Sequence, residues 1–244
     1  MELRGKVALV TGAGRRVGRA LALALADRGA TVAVHYNESA KGAKEVVEAI
    51  AGGTRGRAQA FGGDLAKADE PARLIEKVVD ALGALDVLVN SAALMVRTPF
   101  GEVKAEDWER MFALNLRAPF LLSQAAAPHL RRAGGVIINI ADLSAFETWP
   151  SYIPHGLTKG GMVHLTKSLA RVLAPEVRVN GIAPGTVLLP ENFSDADAEH
   201  LRATTPLQRQ GTPDDVAAAM LFLLDAEYIS GETIIVDGGR HVRR

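Results

Sequence analysis

Short runs of β-branched and aliphatic residues alternate along the chain with longer amphipathic stretches. The short runs read as strands: KVALVT (6–11), TVAVHY (31–36), RAQAFGG (57–63), LDVLVN (85–90), GVIINI (135–140), VRVNGIA (177–183) and TIIVDGG (233–239). Several are almost continuous Val, Ile and Leu, as expected of parallel strands covered on both faces. Helices are expected between them, near 16–28, 40–51, 69–82, 105–130, 155–173 and 213–224. In the first, Val17, Leu21 and Leu25 recur at four-residue spacing, and Gly29 ends the pattern. Regular alternation of strand and helix predicts right-handed βαβ crossovers, a parallel sheet and hence the α/β class. No linker, repeat or low-complexity stretch interrupts it, so residues 1–244 read as a single domain. Residues 184–212 are rich in Pro, Thr and acidic residues and lack a clear period. Within them, 186–212 is the expected substrate lid.

Composition narrows the function classes. Hydrophobic residues make up 48% and charged residues 23%, ordinary values for a globular protein. Twenty-eight basic and 28 acidic residues cancel, so no basic field attracts nucleic acid or an anionic membrane. There is no cysteine, which excludes disulfides, thiolate catalysis and cysteine metal sites. The start, MELRGKVALVTGAG, reads as a strand and not as a signal peptide, and no apolar run reaches membrane-spanning length. The expectation is a cytoplasmic protein with a small-molecule substrate and neither nucleic acid nor membrane as partner. His35, His129, His164, His200 and His241 show no metal-ligand spacing, so no metal is expected.

The segment VTGAGRRVGRA follows the first strand and opens the first helix, with Gly12, Gly14 and Gly18 in a G-x-G-x-x-x-G spacing. Glycines there permit a tight turn and close backbone approach, and a pyrophosphate can sit on the free N–H groups of the helix start. The end of the second strand, His35-Tyr36-Asn37, has no acid at its tip to hold the ribose hydroxyls of NAD. Arg15 and Arg16 in the adjacent loop suit a 2′-phosphate, which favours NADPH over NADH, although Glu38 just beyond the tip argues the other way.

These segments, with GDL (63–65), NSAA (90–93), Asn115 in ALNLRAPF, IINIAD (137–142), Lys159, VRVNGIAPG (177–185) and VDGG (236–239), resemble the short-chain dehydrogenase/reductase family over essentially the whole chain. The loop TGAGRRVG, the tip HYN, Asp142 in place of the usual serine and the ending DGGRH resemble pteridine reductases and dihydromonapterin reductases in particular. The resemblance implies a Rossmann-type, doubly wound domain with a seven-stranded parallel sheet and helices on both faces. It also implies a homotetramer and NADPH-dependent reduction of a dihydropterin. By position, Gly12, Arg16, Val17 and Gly18 would line the cofactor phosphates, and Asp64 and Leu65 would meet the adenine. Asn90 and Ala92 would flank the nicotinamide ribose, which Lys159 would bind, and Pro184, Gly185, Thr186 and Val187 would border the nicotinamide. Asn115 would hold a relay water. Met95, Trp149 and Phe193, with Asp142, are the expected substrate contacts, and Phe146 is a further candidate.

The chain departs from the family at its chemistry. His155 stands four residues before Lys159, where the family has its catalytic tyrosine, and Tyr152 lies three residues earlier still. Met95 stands where pteridine reductases stack an aromatic ring, and Ala93 where they commonly carry serine. Residues 155 and 159 share one helical face, with Pro154 at or near the helix start. Free tyrosine titrates near pH 10 and needs the lysine charge to become labile, whereas histidine starts at about 6.5. Lys159 is expected to push the imidazole down by like charge, and an ionised Asp142 nearby is expected to push it up. The pair Asp142/His155 is therefore expected to keep an imidazolium ready to donate, with the imidazole shorter than the phenol it replaces. Two other readings stand beside the pteridine reductase: a general reductase of acyl-carrier-protein or sugar ketones, and a dinucleotide-binding protein without catalysis.

Overall fold

The computed structural model describes residues 1–53, 56–189 and 194–242. Seven strands, β1 (Val7–Val10), β2 (Thr31–Tyr36), β3 (Arg57–Gly62), β4 (Val87–Asn90), β5 (Val136–Ile140), β6 (Arg178–Pro184) and β7 (Thr233–Val236), form one sheet in the order β3-β2-β1-β4-β5-β6-β7. Every pairing is parallel. Among the described residues eight α-helices connect them: α1 (Arg16–Asp27), α2 (Ala40–Gly53), α3 (Glu70–Leu82), α4 (Ala105–Phe112), α5 (Ala118–Ala133), α6 (Ile153–Leu173), α7 (Asp195–Thr204) and α8 (Pro213–Asp225).

The near-continuous apolar runs are explained by two cores. Side chains alternate across a strand, so Ala8 and Val10 of β1 enter one core with Leu21 and Leu25 of α1, Val46 of α2 and Met220 of α8. Val7 and Leu9 enter the opposite core with Leu74 of α3, Leu122 of α5 and Leu173 of α6. Helices thus cover both faces. Each fully buried Leu or Ile contributes about 1.5–3 kcal/mol.

The chain winds outward from β1 to β2 on one side and returns to β4 on the other, so the crevice between β1 and β4 is the switch point of the topology. The register there is Val10 opposite Val89. Just past it, Thr11 Oγ1 accepts the backbone N–H groups of Ser91 (2.9 Å) and Ala92 (3.0 Å), tying the two strand exits together.

Several boundaries differ from the sequence expectation. The fourth strand begins at Val87, and the seventh ends at Val236, where Asp237, Gly238 and Gly239 bend and turn with positive φ at both glycines. The long helix expected at 105–130 is broken by a π-turn at Ala113–Arg117 and runs on to Ala133. α6 starts at Ile153, with Pro154 in its first turn and Tyr152 as its N-cap. The expected lid contains a helix that periodicity missed: α7 is only ten residues long and mostly polar. Its signal was the capping box, in which Ser194 accepts the Asp197 N–H and the Asp197 side chain accepts the Ser194 N–H. Residues 190–193 of that segment lie outside the described residues. No helix among the described residues is long and apolar enough to cross a membrane.

Candidate active site

A cleft of about 850 Å³ lies over the carboxyl ends of the strands, along the β1/β4 switch point. One end is walled by Arg15, Arg16, Asn37 and Asp64, the other by Asp142, His155, Lys159 and Pro184. Its shape depends on glycine at a few points. Gly12 adopts φ +65°, and a Cβ there would come 2.9 Å from Ala92 Cα. A Cβ on Gly18 would meet Gly12 O at 2.3 Å, so the start of α1 is pressed against the loop. Gly42 of α2 supports the loop from outside, since its Cβ would lie 2.2 Å from Gly14 O. The result is a backbone-lined hollow at the N-terminus of α1, which fits a pyrophosphate. Arg16 occupies the left-handed region (φ 53°) and its Nη2 donates to Leu188 O at 3.3 Å, bridging the loop to the segment after β6. Arg15, Arg16 and Glu38 all face the cleft, so both signs of charge border the place of a 2′-phosphate.

His35 does a different job from the one its position at the strand tip suggests. The Gly12 N–H donates to its Nδ1 (3.2 Å), and its Nε2 lies 3.0 Å from Gly63 O. A carbonyl only accepts, so Nε2 carries the proton and the ring is neutral, pinning the phosphate loop to the exit of β3. Burial is the main cause that pushes its pKa from 6.5 down to about 4. The folded protein therefore binds fewer protons than the unfolded chain between those values. The stabilisation is present above pH 6.5 and is lost as the pH falls toward 4, an expected loss of about 3 kcal/mol. Urea denaturation at pH 7 and pH 4 should show wild type losing that much more than His35→Asn.

The chemical end of the cleft is assembled from three elements. Asp142 follows β5 and caps the short 3₁₀ turn Leu143–Ala145, its Oδ1 accepting the Ser144 N–H at 2.8 Å. His155 and Lys159 project from the first turns of α6. His155 is 2% exposed; its Nδ1 lies 3.2 Å from Leu94 O and its Nε2 lies 3.9 Å from Asp142 Oδ1, an ion-pair distance. Nε2 has no hydrogen-bond partner. Burial alone would raise the Asp142 carboxyl, but the attraction of His155, the Ser144 N–H and the Lys159 charge hold it below the usual carboxylate value. Lys159 is buried and donates from Nζ to Ile140 O at 2.9 Å. Its pKa is pushed down to about 8 by burial, which the Asp142 charge partly opposes.

Most of the residues expected from the sequence line this one cleft. Gly12, Arg15, Arg16, Val17, Gly18, His35, Tyr36, Asn37, Asp64, Leu65 and Ala92 do so along the nucleotide end. Met95, Asp142, Trp149, His155, Lys159, Pro184, Gly185, Thr186 and Val187 do so along the rest. Three expected residues are placed elsewhere. Asn90 lies beneath the cleft, where its Nδ2 donates to Asn139 Oδ1 at 2.8 Å and ties β4 to β5. Asn115, on the π-turn, is fully buried with both side-chain amide protons committed, to Leu94 O and Thr158 Oγ1. Phe146 is exposed and stands outside the cleft wall. Phe193 lies outside the described residues. Sequence reasoning missed Arg110, Leu114, Leu188 and Leu201 in the wall, because helix α4, the π-turn, the post-β6 segment and α7 reach it only through tertiary packing. Tyr152 also lines it, its ring edge-on to Trp149 with centroids 6.3 Å apart. Among the described residues no cluster of His, Asp or Glu could hold a metal ion.

Comparison with known proteins agrees with this architecture. Residues 12–241 match the family model described as enoyl-(acyl carrier protein) reductase. Ketoacyl reductase 2 of the granaticin polyketide synthase from Streptomyces violaceoruber is 36% identical, covering 97% of this chain and 96% of its own. Hydroxynaphthalene reductase-like protein Arp2 from Metarhizium robertsii is 37% identical, covering 98% of this chain and 96% of its own. The crystal structure of a short-chain alcohol dehydrogenase from Sinorhizobium meliloti 1021 superimposes with a TM-score of 0.93 at 33% identity, covering 100% of this chain and 99% of that one.

Proposed function

This chain belongs to the short-chain dehydrogenase/reductase family of NAD(P)-dependent oxidoreductases, and from that premise we propose that it is an NADPH-dependent ketone reductase in which His155 takes the place of the family's tyrosine. The observation that carries the reading is the His155 ring itself. Its Nδ1 faces a carbonyl, so Nε2, buried and unpartnered beside Asp142, is the atom that exchanges a proton with the cleft. The Asp142 carboxylate lies 3.9 Å from the same nitrogen, and shielding from bulk water keeps the proton for the substrate. When bound, NADPH supplies the hydride. His155 delivers the proton to the substrate oxygen, directly or through one water. Lys159 is placed to hold the nicotinamide ribose, and Met95, Trp149 and Tyr152 give the substrate apolar walls.

Relatives described as ketoacyl and hydroxynaphthalene reductases support a ketone substrate over the pterin implied by the resemblance. The second reading, a dihydropterin-like heterocycle, draws on one observation: an ionised Asp142 accepts hydrogen bonds only, and so suits a substrate that presents N–H groups. A panel of planar ketones and dihydropterins assayed with NADPH separates the two. Turnover confined to the dihydropterins overturns the ketone reading, and no turnover on either removes both.

NADPH preference rests on Arg15 and Arg16 beside a strand tip without an acid. Arg16→Ala should raise the Kd for NADPH about tenfold or more, the value of one charge-assisted hydrogen bond. The Kd for NADH should change much less. Equal losses by fluorescence titration remove the 2′-phosphate argument. A homotetramer and a cytoplasmic setting belong to the same reading, and the exposed Phe120 and Phe222 give α5 and α8 apolar surface for subunit contacts.

A further inference from the structure

The proton donor's orientation is controlled from a residue that does not touch the cleft. Asn115 is fully buried on a π-turn, an irregularity that is frequent at functional sites. Its Oδ1 accepts the Leu94 N–H at 2.8 Å and its Nδ2 donates to Leu94 O at 2.8 Å, so one side chain grips both polar groups of a single backbone residue. The second Nδ2 proton reaches Thr158 Oγ1 (3.2 Å), which in turn donates to His155 O at 2.7 Å. Asn115 therefore fixes Leu94 on one side and the helical turn carrying His155 on the other. The Leu94 oxygen receives both Asn115 Nδ2 and His155 Nδ1. A carbonyl cannot donate, so the ring is obliged to carry its proton on Nδ1, against the Nε2–H preference of free histidine.

We propose that Asn115 is a positioning residue that, by clamping Leu94, locks His155 in the Nδ1–H tautomer and so leaves Nε2 as the single site of proton exchange toward Asp142. The inference rests on His155 being the proton donor. A tyrosine at position 155 would need no such control, having one titrating atom.

The test is ¹⁵N NMR of the histidine-labelled full-length protein above the imidazole titration, with His155 assigned by the signal missing in His155→Phe. Wild type should show a protonated Nδ1 and a bare Nε2. Asn115→Leu removes both bonds to Leu94, and Asn115→Asp keeps the size but cannot donate to Leu94 O. Both should shift His155 toward Nε2–H and lower kcat about 10²-fold or more, the scale of a wrong catalytic tautomer, with the Kd for NADPH unchanged. A wild-type Nε2–H signal overturns the inference without any variant, and so does an unaltered tautomer in a folded Asn115→Asp. The two readings fail separately: wild-type rates in His155→Phe would remove the proton donor, whereas the tautomer is read from the spectrum alone.

Discussion

His155→Phe lowers kcat by about 10²- to 10⁴-fold, the range of a positioned general acid, while the Kd for NADPH stays near the wild-type value. Phenylalanine fills the buried site and removes only the nitrogens. The loss is expected in kcat more than in KM, because the proton is transferred in the transition state and not on binding. His155→Tyr provides the complementary variant: it offers a phenol in place of the imidazole, but its hydroxyl must find room between Leu94 O and Asp142, where the imidazole now fits at 3.2 and 3.9 Å. Steady-state kinetics with saturating cofactor checks the first result. Wild-type rates in His155→Phe would sink the mechanism and turn attention to Tyr152, which lines the same cleft.

Lys159→Met has two effects of opposite kind. Activity falls about 10²-fold or more on the proposed role of Lys159 in holding the nicotinamide ribose. Stability loses a pH dependence. The folded pKa of Lys159 is about 8 against 10.5 in the unfolded chain, so the folded state binds fewer protons between those values. Lys159 therefore makes wild type more stable as the pH rises from 8 to 10.5, by about 3 kcal/mol. Below pH 8 the buried ammonium costs stability in full. Denaturation midpoints of the apo protein at pH 7.5 and 10 should lie closer together in the variant than in wild type. Parallel shifts in both proteins would show that Lys159 is not the titrating group.

Much of the architecture was legible because it rests on local chemistry. All seven strands were visible as short runs between helical stretches, six of them containing β-branched residues, and the glycine spacing at 12, 14 and 18 marked the loop that the first helix presses against. Boundaries were less legible where tertiary contacts decide them. The π-turn at 113–117 arises where Asn115 must turn inward to reach Leu94, and no periodicity announces it. α7 has no apolar stripe to reveal it, only the Ser194–Asp197 capping box.

At the site, the sequence determined which groups exist: a helix carrying His155 and Lys159 on one face, an acid at 142 and a phosphate loop with paired arginines. It determined these because helical spacing and strand–turn–helix order are properties of neighbouring residues. The tertiary structure alone decided what those groups do. It aimed His155 Nδ1 at the Leu94 carbonyl, gave Lys159 to Ile140 O, and drew His35 inward to pin Gly12 to Gly63. Each of these partners is a backbone group. Every residue carries the same amide whatever its side chain, so such contacts leave no mark in the order of amino acids and appear only once the strands and helices are packed together.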